Sequence, residues 1–547
     1  MSDTHPRFDV DGLTLPDIVD QAAERSDVEA LVFPDERVTY GELRERSIGL
    51  AGNLRALGVE PGDHVAYLMA GGVDILVVML GILRLGAVAV PINARYKAAE
   101  ITGVLADADV RVVIAEQLYL KEVLVATEDP AAVPALRHIV GGEPDLPGGE
   151  PDRPGGKPRR PQVLPWSTFL SRSVADDLPA VDPDALAMIL FTSGTTSRPK
   201  GVMHSQATIL NSSASLAERL ELMPDDRFWS PLPLFHIAAI AATGAAFVAG
   251  CTLVHVGFFD PGVALRQLEE ERCTLAFPSF ETIWLAVLDH PDFATTDLST
   301  VERIINIGTP ERLRAMQERV PDAVQVSGTG STESGGFLAV GVVTDTLEER
   351  TQTNGHVLPG MEVRLLDPVS GEVLQPPARG ELLYRGPSRL LGYYGDPAIT
   401  AERIDPDGWF HSGDLCRLDA DGRITFVERL KDMLKVGGEN VAAAEIEDHL
   451  AGHPDVRMVQ VVAAPDARYV EVPCAFVQRV DGSTVTEQDL IDFCRGQIAT
   501  FKVPRYVRFT EDFPMSGTKV QKYKLRERIR RELEEAGITE APRITSA

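Results

Sequence analysis

Continuous apolar runs too short for helices recur between longer helical stretches, and this alternation is the tightest constraint on the fold. Val65-Ala66-Tyr67-Leu68-Met69 reads as a strand, Asp74 to Leu85 as a mostly apolar helix, Ala87-Val88-Ala89-Val90-Pro91 as the next strand and Val110 to Ala115 as another. Strands that are apolar at every position are covered on both faces, which requires a buried parallel sheet with helical crossovers. The alternation pauses at residues 141–161, a Pro/Gly-rich stretch that reads as a mobile surface excursion. It resumes at Leu186 and runs to about Thr344. From Gly355 to Glu428, short strands separated by turns such as Asp405-Pro406-Asp407-Gly408 predict an antiparallel β subregion. From about residue 430 a compact α+β module follows, ending in the charged helix Tyr523 to Glu535. A chain of 547 residues is too long for one ordinary core. The expected fold is α/β. A large N-terminal domain of mostly parallel sheets flanked by helices, with a β subdomain, spans 1–429, and a small mobile α+β domain spans 430–547.

Charge removes several classes of function. Lys plus Arg total 53 against 81 Asp plus Glu, a formal net charge of −28. Such a chain lacks the clustered cations that a nucleic-acid backbone or an anionic membrane surface requires. The five cysteines include no Cys-x-x-Cys pair, which argues against a disulfide framework or a zinc ribbon and for free thiols in a reducing cytoplasm. The polar start Met1-Ser2-Asp3-Thr4-His5 leads into no apolar signal core. The most apolar stretch, from about Phe235 to Phe259, contains His236 and His255 and reads as buried helix and strand rather than a membrane span. A cytoplasmic location is expected, and a homodimer is left open.

One loop carries chemistry. The apolar run Leu186-Ala187-Met188-Ile189-Leu190-Phe191 leads into Thr192-Ser193-Gly194-Thr195-Thr196, followed by Lys200-Gly201. Hydroxyls, exposed backbone N–H groups and one lysine are what a polyphosphate needs, and Gly194 permits close approach of the backbone. The spacing is not that of a Walker loop. By itself a short Ser/Thr/Gly run is as compatible with an ordinary polar loop.

The longer string resembles the phosphate loop of the ANL superfamily of adenylate-forming enzymes, in its acyl-CoA synthetase branch, with Ser197 at the usual second glycine. The resemblance recurs in order along the chain. Ser331-Thr332-Glu333 resembles the family's Thr-Glu motif, after the predicted strand Ala323–Ser327, where α/β folds place ligands. The resemblance implies that Thr332 binds the α-phosphate and Glu333 holds Mg²⁺, a hard ion suited to a carboxylate. Thr329 stands where the family has an adenine-stacking tyrosine, and Phe426 is the candidate substitute. Gly308-Thr309-Pro310 resembles the family's adenine segment. Ser412-Gly413-Asp414 matches the ribose motif, with Asp414 accepting both hydroxyls. Arg429-Leu430-Lys431-Asp432 implies a ribose-binding Arg429 and a hinge at Asp432. Lys435, Gly437, Gly438 and Glu439 fall in the segment that passes the pantetheine arm of CoA. Lys519 is the implied adenylation lysine, favoured over Lys522, with Thr518 replacing a glycine.

The implied cofactors are ATP, Mg²⁺ and the co-substrate CoA. The implied activity is ligation of a carboxylic acid to CoA through an acyl-adenylate, with Lys519, Thr332 and Glu333 as the catalytic set. Pro233-Leu234-Phe235-His236 matches a family string, and the segment after it, Ile237-Ala238-Ala239-Ile240-Ala241, carries no carboxylate to pair an α-ammonium. No carrier module follows residue 535. The substrate is therefore expected to be a small-molecule non-amino acid, fatty, alicyclic or polycyclic. Its expected pocket includes His236, Ala239, Phe280, Gly308, Thr329, Ser334 and Gly335, small enough in sum to leave a roomy cavity. The runners-up are an aryl-CoA ligase and a fatty-acyl-AMP ligase. The departures at Ser197, Thr329 and Thr518 keep a non-catalytic nucleotide-binding relative as the alternative from another class. His449 and His453 lie four apart on a predicted helix, but without a third ligand they read as surface histidines.

Overall fold

The computed structural model describes residues 8–24, 28–142, 160–170, 178–192, 199–430, 434–436, 439–441, 443–495, 497–498, 500–516 and 519–544. Two large sheets dominate. In one, strands Val324–Val326, Arg303–Ile307, Leu275–Phe280, Arg227–Trp229, Thr252–Val254 and Glu29–Val32 lie side by side in parallel, with Arg37–Thr39 antiparallel at the edge. In the other, Gly392–Tyr393, Lys200–Ser205, Leu186–Thr192, Val88–Pro91, His64–Leu68, Val112–Ala115, His138–Val140 and Gln162–Leu164 follow in that order. The expected strands and the Val73–Arg84 helix fall within two residues of the sequence reading.

The strand period of two explains the layering. Val65 and Tyr67 enter one apolar core while Ala66 and Leu68 enter another, and Phe228 and Leu253 part from Trp229 and Val254 in the same way. The shared core lies between the sheets and contains helices Leu15–Ala23, Tyr40–Ala56, Val73–Arg84, Gln206–Arg219 and Ile237–Ala249. Helix Ile237–Ala249 is buried at nearly every position, which accounts for the apolar stretch around 235–259. No helix among the described residues is long and apolar enough to cross a membrane.

Antiparallel strands Val373–Leu374, Glu362–Leu366, Ala378–Arg385, Phe410–Leu418 and Ile424–Arg429 form the expected β subregion. The small C-terminal domain has a sheet of Glu439–Val441, Leu434–Val436, Val470–Arg479, Val456–Asp466 and Tyr506–Phe509, covered by helices Ala443–Ala451, Glu487–Cys494 and Lys522–Glu535. Most of the Pro/Gly-rich stretch, residues 143–159, lies outside the described residues. All five cysteines are free and buried. Burial pushes their thiols up, to about 12 for Cys273 and Cys494.

Two contacts show how the inner layer is fixed. Thr39 and Glu42 close a capping box at the start of helix Tyr40–Ala56. The fully buried Tyr40 then donates its hydroxyl to the Cys251 carbonyl at 2.7 Å, joining that helix to the turn after Ile237–Ala249. Tyr40→Phe strands that carbonyl and is expected to lower stability by about 1–2 kcal/mol, read as a lower thermal midpoint with unchanged ligase kinetics.

His255 gives a pH signature. Its Nε2–H donates to the Leu232 carbonyl at 2.9 Å, and its Nδ1 accepts from the Gly257 N–H at 2.9 Å. Burial lowers its pKa to about 4 from 6.5. The unfolded chain therefore binds this proton at a higher pH than the folded one. Its contribution is complete above pH 6.5 and is lost as the pH falls toward about 4. Chemical denaturation midpoints measured across that window should fall, and the slope should shrink in His255→Asn.

Candidate active site

Strand Leu186–Thr192 turns back antiparallel into Lys200–Ser205, with Thr192 paired to Lys200. The loop residues Ser193, Gly194, Thr195, Thr196 and Ser197 lie outside the described residues. The two described ends bring a threonine and a lysine together at the mouth of a hairpin. Gly392–Tyr393 adds a strand on the far side, pairing Tyr393 with Val202. Lys200, Val202 and His204 share one face by the strand period, and a directly paired residue projects to the same side. Tyr393 therefore stands between Lys200 and His204.

The Thr332–Glu333 turn is held against this face. It is a short 3₁₀ turn, Thr332–Ser334, closed by Gly335 at φ 76°. Ser334 Oγ donates to the Ser331 carbonyl and accepts from the Ser331 N–H, both at 3.0 Å. His204 Nε2–H donates to the Thr332 carbonyl at 2.7 Å. That carbonyl can only accept, so Nδ1 is the bare nitrogen and faces the Thr208 hydroxyl at 3.0 Å. Burial first lowers the imidazole to about 4, keeping it neutral. On the other side the Leu390 N–H donates to the Glu333 carbonyl at 2.8 Å, and the Tyr393 hydroxyl donates to Glu333 Oε1 at 3.0 Å. Lys200 Nζ lies 5.7 Å from the centre of the Tyr393 ring. Among the described residues, no lysine, arginine or histidine forms an ion pair with Glu333.

Asp414 and Arg429 face one another across the antiparallel pair Phe410–Leu418 and Ile424–Arg429, with Arg429 Nε 2.8 Å from Asp414 Oδ1. Phe426 lies on the same strand as Arg429, 41% exposed. Its N–H donates to Asn354 Oδ1 at 2.8 Å, and Asn354 Nδ2 donates to the Gly328 carbonyl at 3.2 Å. A single side chain thus ties Phe426 to the strand that carries Thr329. Thr309 and Pro310 start helix Pro310–Arg319, Thr309 as the N-cap. Gly308 is covered by Glu281: a Cβ there would lie 2.8 Å from Glu281 Oε2. Glu281 in turn pairs with Arg312.

The residues expected to line the acyl pocket differ in exposure. His236 is exposed beside Phe235, and Phe280 is half-buried. Ala239 is 1% exposed and faces the inner layer; the half-buried Ala238 is its neighbour on the open side. The Ser334 hydroxyl is buried and used in its own turn. Gly335 packs on helix Gln206–Arg219, where Ser212 Oγ donates to its carbonyl at 2.8 Å.

In the C-terminal domain, Lys435 and Glu439 sit in adjacent antiparallel strands, Val436 pairing with Glu439. Gly437, Gly438, the hinge candidate Asp432 and Thr518 lie outside the described residues. Lys519 begins a short strand paired with Met515–Ser516. Lys522 is committed elsewhere, 2.7 Å from Glu447 Oε1. His449 and His453 are not open surface histidines: both rings pack on Phe493, with centroids at 4.9 Å. No group of three or more His, Cys, Asp or Glu among the described residues is placed to hold a metal by itself.

His204, Tyr393 and Glu281 were missed by the sequence reading. His204 had one available signal, the phase of strand Lys200–Ser205, which puts it on the face of Lys200. A broad depression of about 760 Å³ opens at the opposite ends of the parallel strands. Arg37 and Arg227 each bridge Glu29 and Glu271 there, and this is a satisfied ion network.

Residues 18–394 match the AMP-binding enzyme family, and residues 445–519 match the AMP-binding enzyme C-terminal domain. The chain is 35% identical over 526 residues to a methyl-dioxo-octahydro-indenyl-propanoyl:CoA ligase of Mycobacterium tuberculosis, covering 94% of this chain and 98% of the relative. It is 35% identical over 501 residues to a feruloyl-CoA synthase of an Amycolatopsis species, covering 90% and 94%. The crystal structure of ATP-bound MatB from Rhodopseudomonas palustris superimposes with a TM-score of 0.80 at 25% identity, covering 95% of this chain and 99% of that one. With motifs and fold that agree along its length, the chain belongs to the AMP-binding enzyme family, among the AMP-forming acid–CoA ligases of the adenylate-forming superfamily.

Proposed function

We propose that this ligase activates a bulky non-amino carboxylic acid, fatty, alicyclic or polycyclic, and transfers the acyl group to CoA. One observation carries the reading. The helix that opens the acyl side begins His236-Ile237-Ala238-Ala239, an apolar and small-residue start with no carboxylate to hold an α-ammonium. The relatives named above support it, since one is a ligase of an alicyclic propanoyl group and the other of a feruloyl group.

A carboxylate is a poor acyl donor because oxide is its leaving group. In the first step the substrate carboxylate attacks the α-phosphorus of ATP and pyrophosphate departs. This transfer needs positioning and charge neutralisation more than proton transfer. In the proposed assignment Thr192, Ser193, Gly194, Thr195, Thr196 and Lys200 cradle the phosphates and Thr332 contacts the α-phosphate. Asp414 and Arg429 hold the ribose. Gly308, Thr309, Pro310, Thr329 and Phe426 surround the adenine. Glu333 fits a Mg²⁺ ligand: it is a half-buried carboxylate whose side-chain donor is a neutral phenol and which lacks a cationic partner among the described residues. Bound there, Mg²⁺ would supply charge neutralisation to the phosphates.

The proposed division falls between residues 429 and 430. Lys519 then belongs to the small domain and reaches the α-phosphate in the first step. The engagement of Lys522 with Glu447 supports Lys519 as the acting lysine. Rotation at Asp432 next presents Lys435, Gly437, Gly438 and Glu439 to the site. The CoA thiolate attacks the acyl carbonyl there, and AMP leaves. Such domain motions gate many enzymes.

Two experiments test this reading. Mass spectrometry after incubation with ATP, Mg²⁺, CoA and an acid panel should give acyl-CoA with matching AMP for medium-chain and ring-bearing acids. Their kcat/KM should exceed that of acetate or benzoate by at least about tenfold, the scale of hydrophobic-pocket discrimination. A profile confined to acetate or benzoate refutes the substrate class, and acyl-adenylate without thioester refutes CoA as acceptor. In Lys519→Ala, adenylation should fall by about 10²–10³-fold, the usual loss for one positioned charge donor. Thioester formation from preformed acyl-adenylate should stay within a few fold. Equal loss of both half-reactions would contradict the role given to Lys519.

A further inference from the structure

Tyr393 is the side chain through which the Lys200–Ser205 face meets both the lysine of the phosphate loop and the acidic turn. It is nearly buried, packed among Val202, Leu338, Tyr384 and Leu390. Its hydroxyl points out of that apolar group to Glu333 Oε1 at 3.0 Å, and its ring has Lys200 Nζ 5.7 Å from the centroid. An ionised carboxylate offers about four lone-pair sites. The phenol occupies one of them on Oε1, and among the described residues no other side chain donates to this carboxylate.

We propose that Tyr393 is a positioning residue for Glu333: its hydroxyl presets the carboxylate for a divalent cation that arrives with ATP. The proposal rests on the reading of Glu333 as the Mg²⁺ ligand. The backbone of the turn is fixed separately by Leu390 and His204, so the hydroxyl acts on the side chain alone. Hydrogen-bond partners of ligating carboxylates commonly set metal affinity by about 10–100-fold.

Tyr393→Phe removes the hydroxyl and keeps the ring, its packing and its relation to Lys200. The full-length variant should stay folded, with the wild-type KM for the acid and the wild-type rate of thioester formation from preformed acyl-adenylate. In acid-dependent pyrophosphate exchange, its half-saturating free Mg²⁺ should rise by about tenfold or more. Calorimetric titration with ATP supplies a readout apart from turnover. Affinity without Mg²⁺ should equal wild type, and the gain on adding Mg²⁺ should shrink. An unchanged Mg²⁺ midpoint and an unchanged Mg²⁺ gain in ATP affinity would overturn the proposal while leaving the ligase reading intact. A Glu333→Gln variant with the wild-type Mg²⁺ response would overturn the metal-ligand reading, and the role of Tyr393 with it.

Discussion

Strand Lys200–Ser205 runs antiparallel to both of its neighbours in a sheet whose remaining pairs are parallel, and the site depends on that reversal. A parallel successor to Leu186–Thr192 would have needed a crossover and would have started at the far end of the sheet. The antiparallel pairing instead returns Lys200 beside Thr192. The reversed strand also leaves an edge that the 390–394 segment covers, with the Leu391 N–H donating to the Met203 carbonyl and the Tyr394 N–H to the Gly201 carbonyl. That pairing delivers Tyr393 to the face already occupied by Lys200 and His204. Each hydrogen bond is worth only about 1 kcal/mol net, but together they fix the direction of side chains that come from positions 200, 204, 333 and 393.

The inner helical layer supplies the rigidity behind this face. Helix Gln206–Arg219 begins directly after the reversed strand, and its Ser212 hydroxyl reaches the Gly335 carbonyl at 2.8 Å. The acidic turn is therefore backed by a helix that is itself wedged between two sheets. The small residues around it have a shared cause. A Cβ at Gly336 would lie 3.2 Å from the Ala241 side chain, and one at Gly330 would lie 2.2 Å from the Gly336 carbonyl. Close approach of backbones holds the turn, and larger side chains would pry it from the helix.

The architecture was legible because strands buried on both faces write continuous apolar runs, and their helices write longer ones. Candidate site residues could be named where chemistry sits in one contiguous string, as at 192–200, 332–333 and 412–414. It was not legible where geometry joins distant strings. His204 and Thr332 are 128 residues apart, and nothing in either segment states that they meet. Tyr393 reaches Glu333 only because a two-residue strand pairs with Lys200–Ser205. The resemblance puts Ala239 in the acyl pocket, and helix Ile237–Ala249 is so apolar that its sequence does not say which face Ala239, 1% exposed, would present. His449 and His453 show the converse, a spacing suggestive of metal that resolves into packing on one phenylalanine.

Charge poses the remaining physical question, because a chain of net charge −28 takes a polyanionic nucleotide. Screening limits the repulsion: at physiological salt the Debye length is about 8 Å, so distant carboxylates matter little and the groups nearest the phosphates decide. Two features keep the local balance favourable in the proposed assignment. Arg429 is already paired with Asp414, so the carboxylate that would receive the ribose is oriented and its charge offset before the nucleotide arrives. Glu333 is treated in the opposite way. It meets a neutral phenol, and a neutral imidazole holds its turn, so its negative charge is left for a cation brought with the phosphates. A lysine or arginine built in at that point would have satisfied the carboxylate and removed the reason for a metal to bind. Neutral donors around one acidic group, with a cation at Lys200, let the charge of the substrate complex complete the site.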